Sequence, residues 1–170
     1  MPFRNETLFK WLAYAAATLL CALVQTALLG RLSLWGVFPF VYPLLAAIFA
    51  MLEGPQNGML YGIFLGVCCD LTIPAPIPCF YTLLLPVVGL VAALMGKGLL
   101  SAGLLCGLAV SAVAFVLEGG FYMLLLVLGG QSPFPAAPWL TLRELCVSLP
   151  FALPVYFLFG RVYRTCNIDN

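Results

Sequence analysis

The stretch that decides the fold runs from residue 54 to residue 70 and reads GPQNGMLYGIFLGVCCD. Small residues recur at every fourth position, and the series ends on an aspartate: Gly54, Gly58, Gly62, Gly66 and Asp70. On an α-helix this spacing places all five on one slowly drifting stripe. Because glycine has no side chain, another helix can approach such a stripe closely. The pattern predicts close helix packing, either within this protein or against a partner.

The rest of the chain is strongly apolar. Of its 170 residues, 64% are hydrophobic and only 8% are charged, whereas a soluble domain has roughly a quarter charged residues. So few charges cannot cover a water-soluble globule, but a surface that faces lipid needs no such cover. Residues 1–170 are therefore predicted to form a single integral membrane domain. The net charge of +1 argues against a nucleic-acid partner, which basic surfaces recognise.

The apolar segments are solid runs rather than alternating patterns, which favours helices over β-barrel strands. At roughly 20 residues per span, the chain is predicted to be an all-α polytopic protein with six transmembrane helices. Five is the alternative, because the third run is short and rich in glycine. The predicted spans are Trp11–Gly30, Leu34–Leu52, Pro55–Ile73, Cys79–Met95, one within Gly98–Gly130, and Trp139–Phe159. The long fifth run can tilt or break near Glu118.

The positive charges predict the orientation, because cytoplasmic segments carry an excess of lysine and arginine. With both termini inside, the cytoplasmic segments contain Arg4, Lys10, Lys97, Arg161 and Arg164. The outer segments contain only Arg31 and Arg143. This asymmetry predicts a cytoplasmic N-terminus and a cytoplasmic C-terminus.

Five charged residues fall toward the outer side in this arrangement: Arg31, Asp70, Glu118, Arg143 and Glu144. An ionisable group at membrane depth is costly and is usually paired. We therefore expect some of these residues to cluster near the outer leaflet. Such a cluster would serve either as a structural ion pair or as a contact for a partner or ligand.

The sequence offers little for catalysis. It contains no histidine, and the spacing of its seven cysteines matches no metal site. The glycine stripe lacks the Gly-Lys-Ser/Thr ending of a phosphate-binding loop. The sequence therefore predicts no enzyme, no cofactor and no metal.

The stretch from Phe38 to Leu71 resembles the rod-shape-determining MreD family. The positions that match the family pattern are Pro39 before an apolar run, then Gly54, Gly58, Gly62, Gly66 and Asp70. The resemblance implies a multi-pass protein of the bacterial cytoplasmic membrane with a non-enzymatic role in cell shape and peptidoglycan elongation. It also implies an MreC-like bitopic partner, packed against the glycine-rich helix, and through it MreB and cell-wall synthases.

A second class of six-helix membrane protein has the same size and hydropathy. The substrate-binding subunits of energy-coupling-factor vitamin transporters are also similar in having glycine-rich helices and a small-residue motif in the first helix, as at Ala13 and Ala17. A vitamin site needs several convergent polar groups. In the outer half, the uncharged ones are mainly Gln25, Thr26 and Gln131. An open outer pocket lined by these groups would favour binding, whereas a filled one would favour a scaffold.

Overall fold

The computed structural model describes residues 3–27, 31, 35–73, 77–98, 103–129 and 136–166. The regular elements of these residues are helices, which confirms the all-α prediction for them. The α-helices follow in the order α1 (Phe3–Ala27), α2 (Tyr42–Glu53), α3 (Pro55–Thr72), α4 (Phe80–Gly98), α5 (Leu104–Leu128), α6 (Ala136–Ser148) and α7 (Ala152–Cys166). A 3-10 turn, Leu149–Phe151, joins α6 to α7.

Helix α2 lies at the centre of the bundle. Every residue from Tyr42 to Met51 is buried, and α3, α4, α5 and α7 all pack against it. Its 12 residues make it about 18 Å long, which is shorter than the roughly 30 Å hydrocarbon core of a bilayer. A helix surrounded on all sides needs no polar face, and this explains its uniformly apolar sequence.

A single residue connects α2 to α3. Gly54 has a φ of +90° and a ψ of 178°, a conformation that glycine adopts without the steric cost that a side chain would bring. Pro55 then begins α3, where its missing N–H is not needed and its fixed φ suits the first helical turn. The chain therefore reverses sharply, and the first turn of α3 packs against the last turns of α2.

The glycines of α3 bring its backbone into direct contact with α2 and α4. A Cβ atom added to Gly58 would lie 2.9 Å from Cα of Ala50 in α2. One added to Gly62 would lie 2.7 Å from the carbonyl oxygen of Leu85, and one added to Gly66 would lie 2.6 Å from Cα of Thr82. Because these obstacles are backbone atoms or the first atoms of a side chain, they cannot rotate away. Glycines four residues apart in α3 thus contact successive turns of α4.

Aromatic rings fill the space between α1, α2, α3 and α7. The ring of Phe49 stacks on that of Tyr61, with centroids 4.1 Å apart. Tyr14 meets Phe49 edge-on at 4.9 Å and lies 5.6 Å from Phe159. Edge-on and offset arrangements suit the charge distribution of aromatic rings and add to the free energy gained by burial.

Four helical segments of the described residues are long and apolar enough to cross a membrane, as an integral membrane protein requires: Leu8–Ala27, Phe80–Lys97, Leu104–Leu128 and Pro138–Thr165. They correspond to predicted spans one, four, five and six. Helix α2 is apolar but short, and α3 does not belong to this set. Six spans and the predicted orientation therefore stay predictions.

Two details of the predicted spans differ from the structure. The second was expected to begin at Leu34, which lies outside the described residues, but helix α2 begins at Tyr42. Pro39 disfavours helical backbone angles at Phe38, and Pro43 lies in the first turn of α2, where a proline is tolerated. Helix α5 is continuous through Glu118, so the break considered for the fifth span is absent. The predicted ends at Gly30 and Gly130 also lie outside the described residues.

The backbone contact between α3 and α4 can be tested with matched glycine substitutions. Gly62→Ala should lower the free energy of unfolding by roughly 1–3 kcal/mol, because its new methyl group overlaps backbone atoms. Gly120→Ala in α5 is the control, since a Cβ atom there has no neighbour within 4 Å and alanine favours helix. Unfolding in mixed micelles would measure both. Equal effects of the two substitutions would contradict the close packing at Gly62.

Candidate functional site

The two ends of the bundle differ in chemistry. We call the end where α1 and α3 finish and α2 and α4 begin the Gln25 end. We call the opposite end, where α2 finishes and α3 begins, the Glu53 end. A cavity lies at the Gln25 end, and a salt bridge lies at the Glu53 end.

A cavity of about 460 Å³ opens at the Gln25 end. The polar side chains that line it come from five helices: Gln25 and Thr26, Tyr42, Thr72, Tyr81, and Glu144. Apolar side chains such as Phe38 and Leu140 supply the rest of the wall. Concave sites of this size with a few polar groups are typical of small-ligand sites. Of the polar groups expected there, Gln131 lies outside the described residues.

Gln25 holds the non-helical segment that leads into α2. Its Nε2 donates to the carbonyl oxygen of Pro39 at 2.7 Å, and its Oε1 accepts from the N–H of Val41 at 3.0 Å. From the opposite side, the N–H of Phe40 donates to Oγ of Ser148 at 2.9 Å. Backbone groups outside a helix need such partners wherever water is absent. Although Gln25 borders the cavity, both of its polar atoms are already bound within the protein.

Asp70 caps the first turn of α4. Its Oδ1 accepts from the N–H of Tyr81 at 3.0 Å. Its Oδ2 accepts from the N–H of Thr82 at 2.9 Å and from the Thr82 hydroxyl at 2.6 Å. The first N–H groups of a helix have no partners within it, and a negative charge there is favoured by the helix dipole. The carboxylate thus continues the glycine stripe by binding the same helix that the glycines contact.

Glu118 is the buried acid whose surroundings do not satisfy it. Only 8% of its surface is exposed, and its Oε2 atom has no hydrogen-bond partner. Helix α6 passes so close that a Cβ atom on Gly119 would lie 2.5 Å from Oγ1 of Thr141. A buried carboxylate oxygen without a partner is costly.

The five outer charges do not form salt bridges with each other within the described residues. Asp70 binds helix α4 instead. Arg143 stacks over the ring of Trp139 at 5.3 Å and lies 3.5 Å from the carbonyl oxygen of Trp35, while Arg31 is exposed. The expected pairing of Asp70 with a basic side chain is thus replaced by hydrogen bonds to a helix N-terminus.

A salt bridge lies at the Glu53 end. Nζ of Lys10 is 2.7 Å from Oε2 of Glu53, whose side chain is only 6% exposed. The hydroxyl of Tyr14 donates to Oε1 of Glu53 at 2.8 Å. These contacts tie α1 to the end of α2. Sequence reasoning treated Lys10 only as an orientation signal and did not use Glu53 as a partner, although both residues flank predicted spans.

The glycine stripe is covered along its whole length. A Cβ atom on Gly54 would lie 3.5 Å from Nζ of Lys97, and the next three glycines face α2 and α4. The sequence predicted that the stripe packs either within this protein or against a partner. The contacts of its glycines are with other helices of the same chain. Its glycines therefore present no free surface to a partner.

The described residues contain no group of three or more histidine, cysteine, aspartate or glutamate side chains that could hold a metal ion. Sequence reasoning missed the role of Ser148, because one serine in an apolar run gives no indication of which backbone N–H it meets. A usable signal existed for Gln25, since an amide within a predicted span has to find partners.

The role of Gln25 can be measured by Gln25→Leu. This substitution leaves the Pro39 carbonyl and the Val41 N–H without partners, and each unpaired group should cost roughly 1–3 kcal/mol of unfolding free energy. Thr26→Val is the control, because the Thr26 hydroxyl is exposed and bonds only its own helix. We expect that change to stay within about 0.5 kcal/mol. A loss at Gln25 no larger than at Thr26 would show that the entry segment does not depend on it.

The two acids Asp70 and Glu118 should respond to neutralisation in opposite directions. Asp70→Asn replaces an acceptor by a donor opposite two N–H groups and should lower the unfolding free energy by roughly 1–3 kcal/mol. Glu118→Gln removes a buried ionisable group of which one oxygen lacks a partner, and it should leave stability equal or higher. Unfolding of both variants in the same detergent gives the comparison. Destabilisation by Glu118→Gln as large as that by Asp70→Asn would refute the description of Glu118 as unsatisfied.

The chain matches no protein-family model, and no curated protein or solved structure is significantly similar to it.

Proposed function

We propose that this protein is a non-enzymatic scaffold of the bacterial cytoplasmic membrane that acts in the cell-shape and peptidoglycan elongation machinery, as MreD-like proteins do. Its partners would be an MreC-like bitopic protein and, through it, MreB and cell-wall synthases. The resemblance of residues 38–71 to the MreD family is one support. The other support is that polar side chains inside the bundle bind its helices to each other.

The observation that carries the proposal is that most of the buried polar groups join helices to each other; of the described ones, Ser111 bonds its own helix and Glu118 has an unpaired oxygen. Gln25 and Ser148 bind the entry to α2. Asp70 binds the start of α4, and Thr18 shares a hydrogen bond of 2.7 Å with Tyr61. Polar groups that act on a substrate would have to remain available to it. A bundle with its polar groups engaged in this way is suited to holding one shape for a partner to recognise.

The face of α3 opposite the glycine stripe is the best candidate for the partner contact. Its exposed apolar side chains follow the helical repeat over nearly the whole helix: Met59, Leu60, Ile63, Phe64, Val67 and Leu71. The stripe itself is occupied by α2 and α4. A transmembrane helix of a partner would therefore pack on this outward face, by van der Waals contact as membrane helices do.

The distribution of charge supports the proposed orientation. Lys10 and Lys97 lie at the Glu53 end, beside Glu53 and Gly54 respectively. Arg161 and Arg164 line a cavity there together with Leu52. Because lysine and arginine accumulate on the cytoplasmic side, we assign the Glu53 end to the cytoplasm. The Gln25 end would then face outward.

The scaffold proposal predicts which proteins accompany the tagged chain out of its native membrane. Mild-detergent purification followed by mass spectrometry should recover an MreC-like protein and cell-wall synthases. Leu60→Ala combined with Phe64→Ala should reduce that recovery about tenfold or more, because hydrophobic anchors dominate such contacts. Leu83→Ala combined with Leu94→Ala removes two equally exposed side chains from α4 and should leave recovery unchanged. Equal recovery with both pairs would exclude the outward face of α3 as the contact.

The cavity at the Gln25 end favours a second candidate function. Its volume of about 460 Å³ and its polar wall suit a substrate-capture subunit of an energy-coupling-factor transporter. Glu144, the acidic side chain in its wall, would then favour a substrate with a positive charge. The same purification distinguishes the two candidates, because a capture subunit would bring a transmembrane coupling protein with paired ATPases instead of MreC.

A further inference from the structure

A second cavity of about 460 Å³ lies at the Glu53 end. Helix α7 supplies most of its wall, through Tyr156, Phe157, Gly160, Arg161 and Arg164, and Leu52 closes it from α2. None of the interactions that join the helices, as described above, involves Arg161 or Arg164. The cavity is therefore a feature that the proposed scaffold and the proposed substrate site leave unexplained.

The wall of this cavity changes from apolar to positively charged along α7. Positions at intervals of three to four residues along α7 share one helix face. In the cavity these are Phe157, then Gly160 or Arg161, and then Arg164. Phe157 is 64% exposed, and it is separated from Arg164 by seven residues, or about 10 Å along the helix axis. The apolar part of the cavity thus lies toward the middle of the bundle, and the positive part lies at the end of α7.

Gly160 leaves a notch between these two parts. A Cβ atom added there would meet no atom within 4 Å, so the glycine is not required by packing within the described residues. A larger side chain at this position would extend into the space between Phe157 and the arginines. The notch therefore keeps a continuous path open from the apolar wall to the two positive charges.

The two arginines differ from Lys10 in having no acidic partner among the described residues. Lys10 is neutralised by Glu53 at 2.7 Å, whereas neither Arg161 nor Arg164 forms a salt bridge with a described residue. Both side chains are exposed. A guanidinium group binds phosphate oxygens with two parallel hydrogen bonds. Two guanidinium groups that form no salt bridge with a described residue, at the end of an apolar groove, thus complement a ligand with a phosphate at one end and a hydrocarbon chain at the other.

We propose that this cavity is a specific site for an anionic phospholipid of the adjoining leaflet. Arg161 and Arg164 bind the phosphate of its headgroup, and an acyl chain runs over Gly160 and along Phe157 and Leu52. Basic pockets between membrane helices on the side of positive charge bind anionic headgroups for the same electrostatic reason. The site does not depend on the scaffold function, because it involves neither the outward face of α3 nor the cavity at the Gln25 end.

Native mass spectrometry of the purified full chain tests the proposal, with phosphatidylglycerol and phosphatidylcholine as probes. We expect phosphatidylglycerol to be retained roughly 30-fold better, since each arginine near an anionic surface contributes roughly a factor of five. Arg161→Gln combined with Arg164→Gln should reduce this preference to near one. Lys97→Gln removes one positive charge at the same end but outside the cavity, and it should leave the preference within about twofold.

Gly160→Leu provides a variant that keeps both arginines. Because nothing lies near a Cβ atom at this position, the variant should fold with an unchanged melting temperature. It should nevertheless retain at least about fivefold less phosphatidylglycerol, because the leucine side chain fills the path of the acyl chain. Unchanged retention would overturn the proposed position of the lipid.

Three further results would overturn the proposal. Equal retention of the two lipids by the native chain would remove the role of charge. A loss of preference in Lys97→Gln as large as in the arginine variants would show only a general attraction between opposite charges. Displacement of phosphatidylglycerol by millimolar inorganic phosphate would indicate a site for free phosphate, with no contribution from the acyl chain.

Discussion

The architecture depends on keeping a short stretch of non-helical backbone satisfied away from water. Residues 38–40 lead into α2 without helical hydrogen bonds of their own. The side chains of Gln25 and Ser148 instead bind the Pro39 carbonyl and the N–H groups of Phe40 and Val41. Within a bilayer such backbone is tolerated only where protein groups surround it. The two side chains come from α1 and α6, so satisfying this segment also fixes two outer helices around the central one.

The central position of α2 has consequences for the helices around it. A helix of 12 residues is too short to anchor itself in a bilayer, so it is held by contacts with its neighbours. The sharp connection at Gly54 places α3 directly against it, and the glycines of α3 then admit α4 at backbone distance. Large side chains would hold these helices 8–10 Å or more apart. Close approach adds van der Waals contact, which replaces the hydrophobic effect as the attraction between helices in lipid.

Two of the acidic side chains have partners on both oxygens, whereas Glu118 does not. Glu53 and Asp70 both lie next to helix ends, and both are matched, one by Lys10 and Tyr14 and the other by the N–H groups of α4. Glu118 lies in the interior of a long helix, where its Oε2 atom has no hydrogen-bond partner. In a scaffold, each buried charged group is expected to have a partner within the protein. In natural proteins, groups that lack such partners concentrate at functional sites. Glu118 is accordingly the feature that most favours a binding function.

The membrane class, the helical fold and the close-packing stripe could all be predicted from the sequence. Apolar runs and a four-residue glycine repeat are local patterns, and each depends only on the period of a helix. The same reasoning recognised Asp70, Glu118 and Glu144 as costly groups, because the cost of a buried charge does not depend on the fold.

The tertiary structure alone decided which partners these groups have. The glycine stripe meets α2 and α4 rather than another protein, and Asp70 meets the first turn of α4 rather than an arginine. Likewise, the apolar run after Leu34 became a short central helix because α1 and α6 could supply hydrogen bonds to its entry. A sequence pattern specifies what a face of a helix requires, but the element that meets the requirement is set by the packing of segments far apart in the chain.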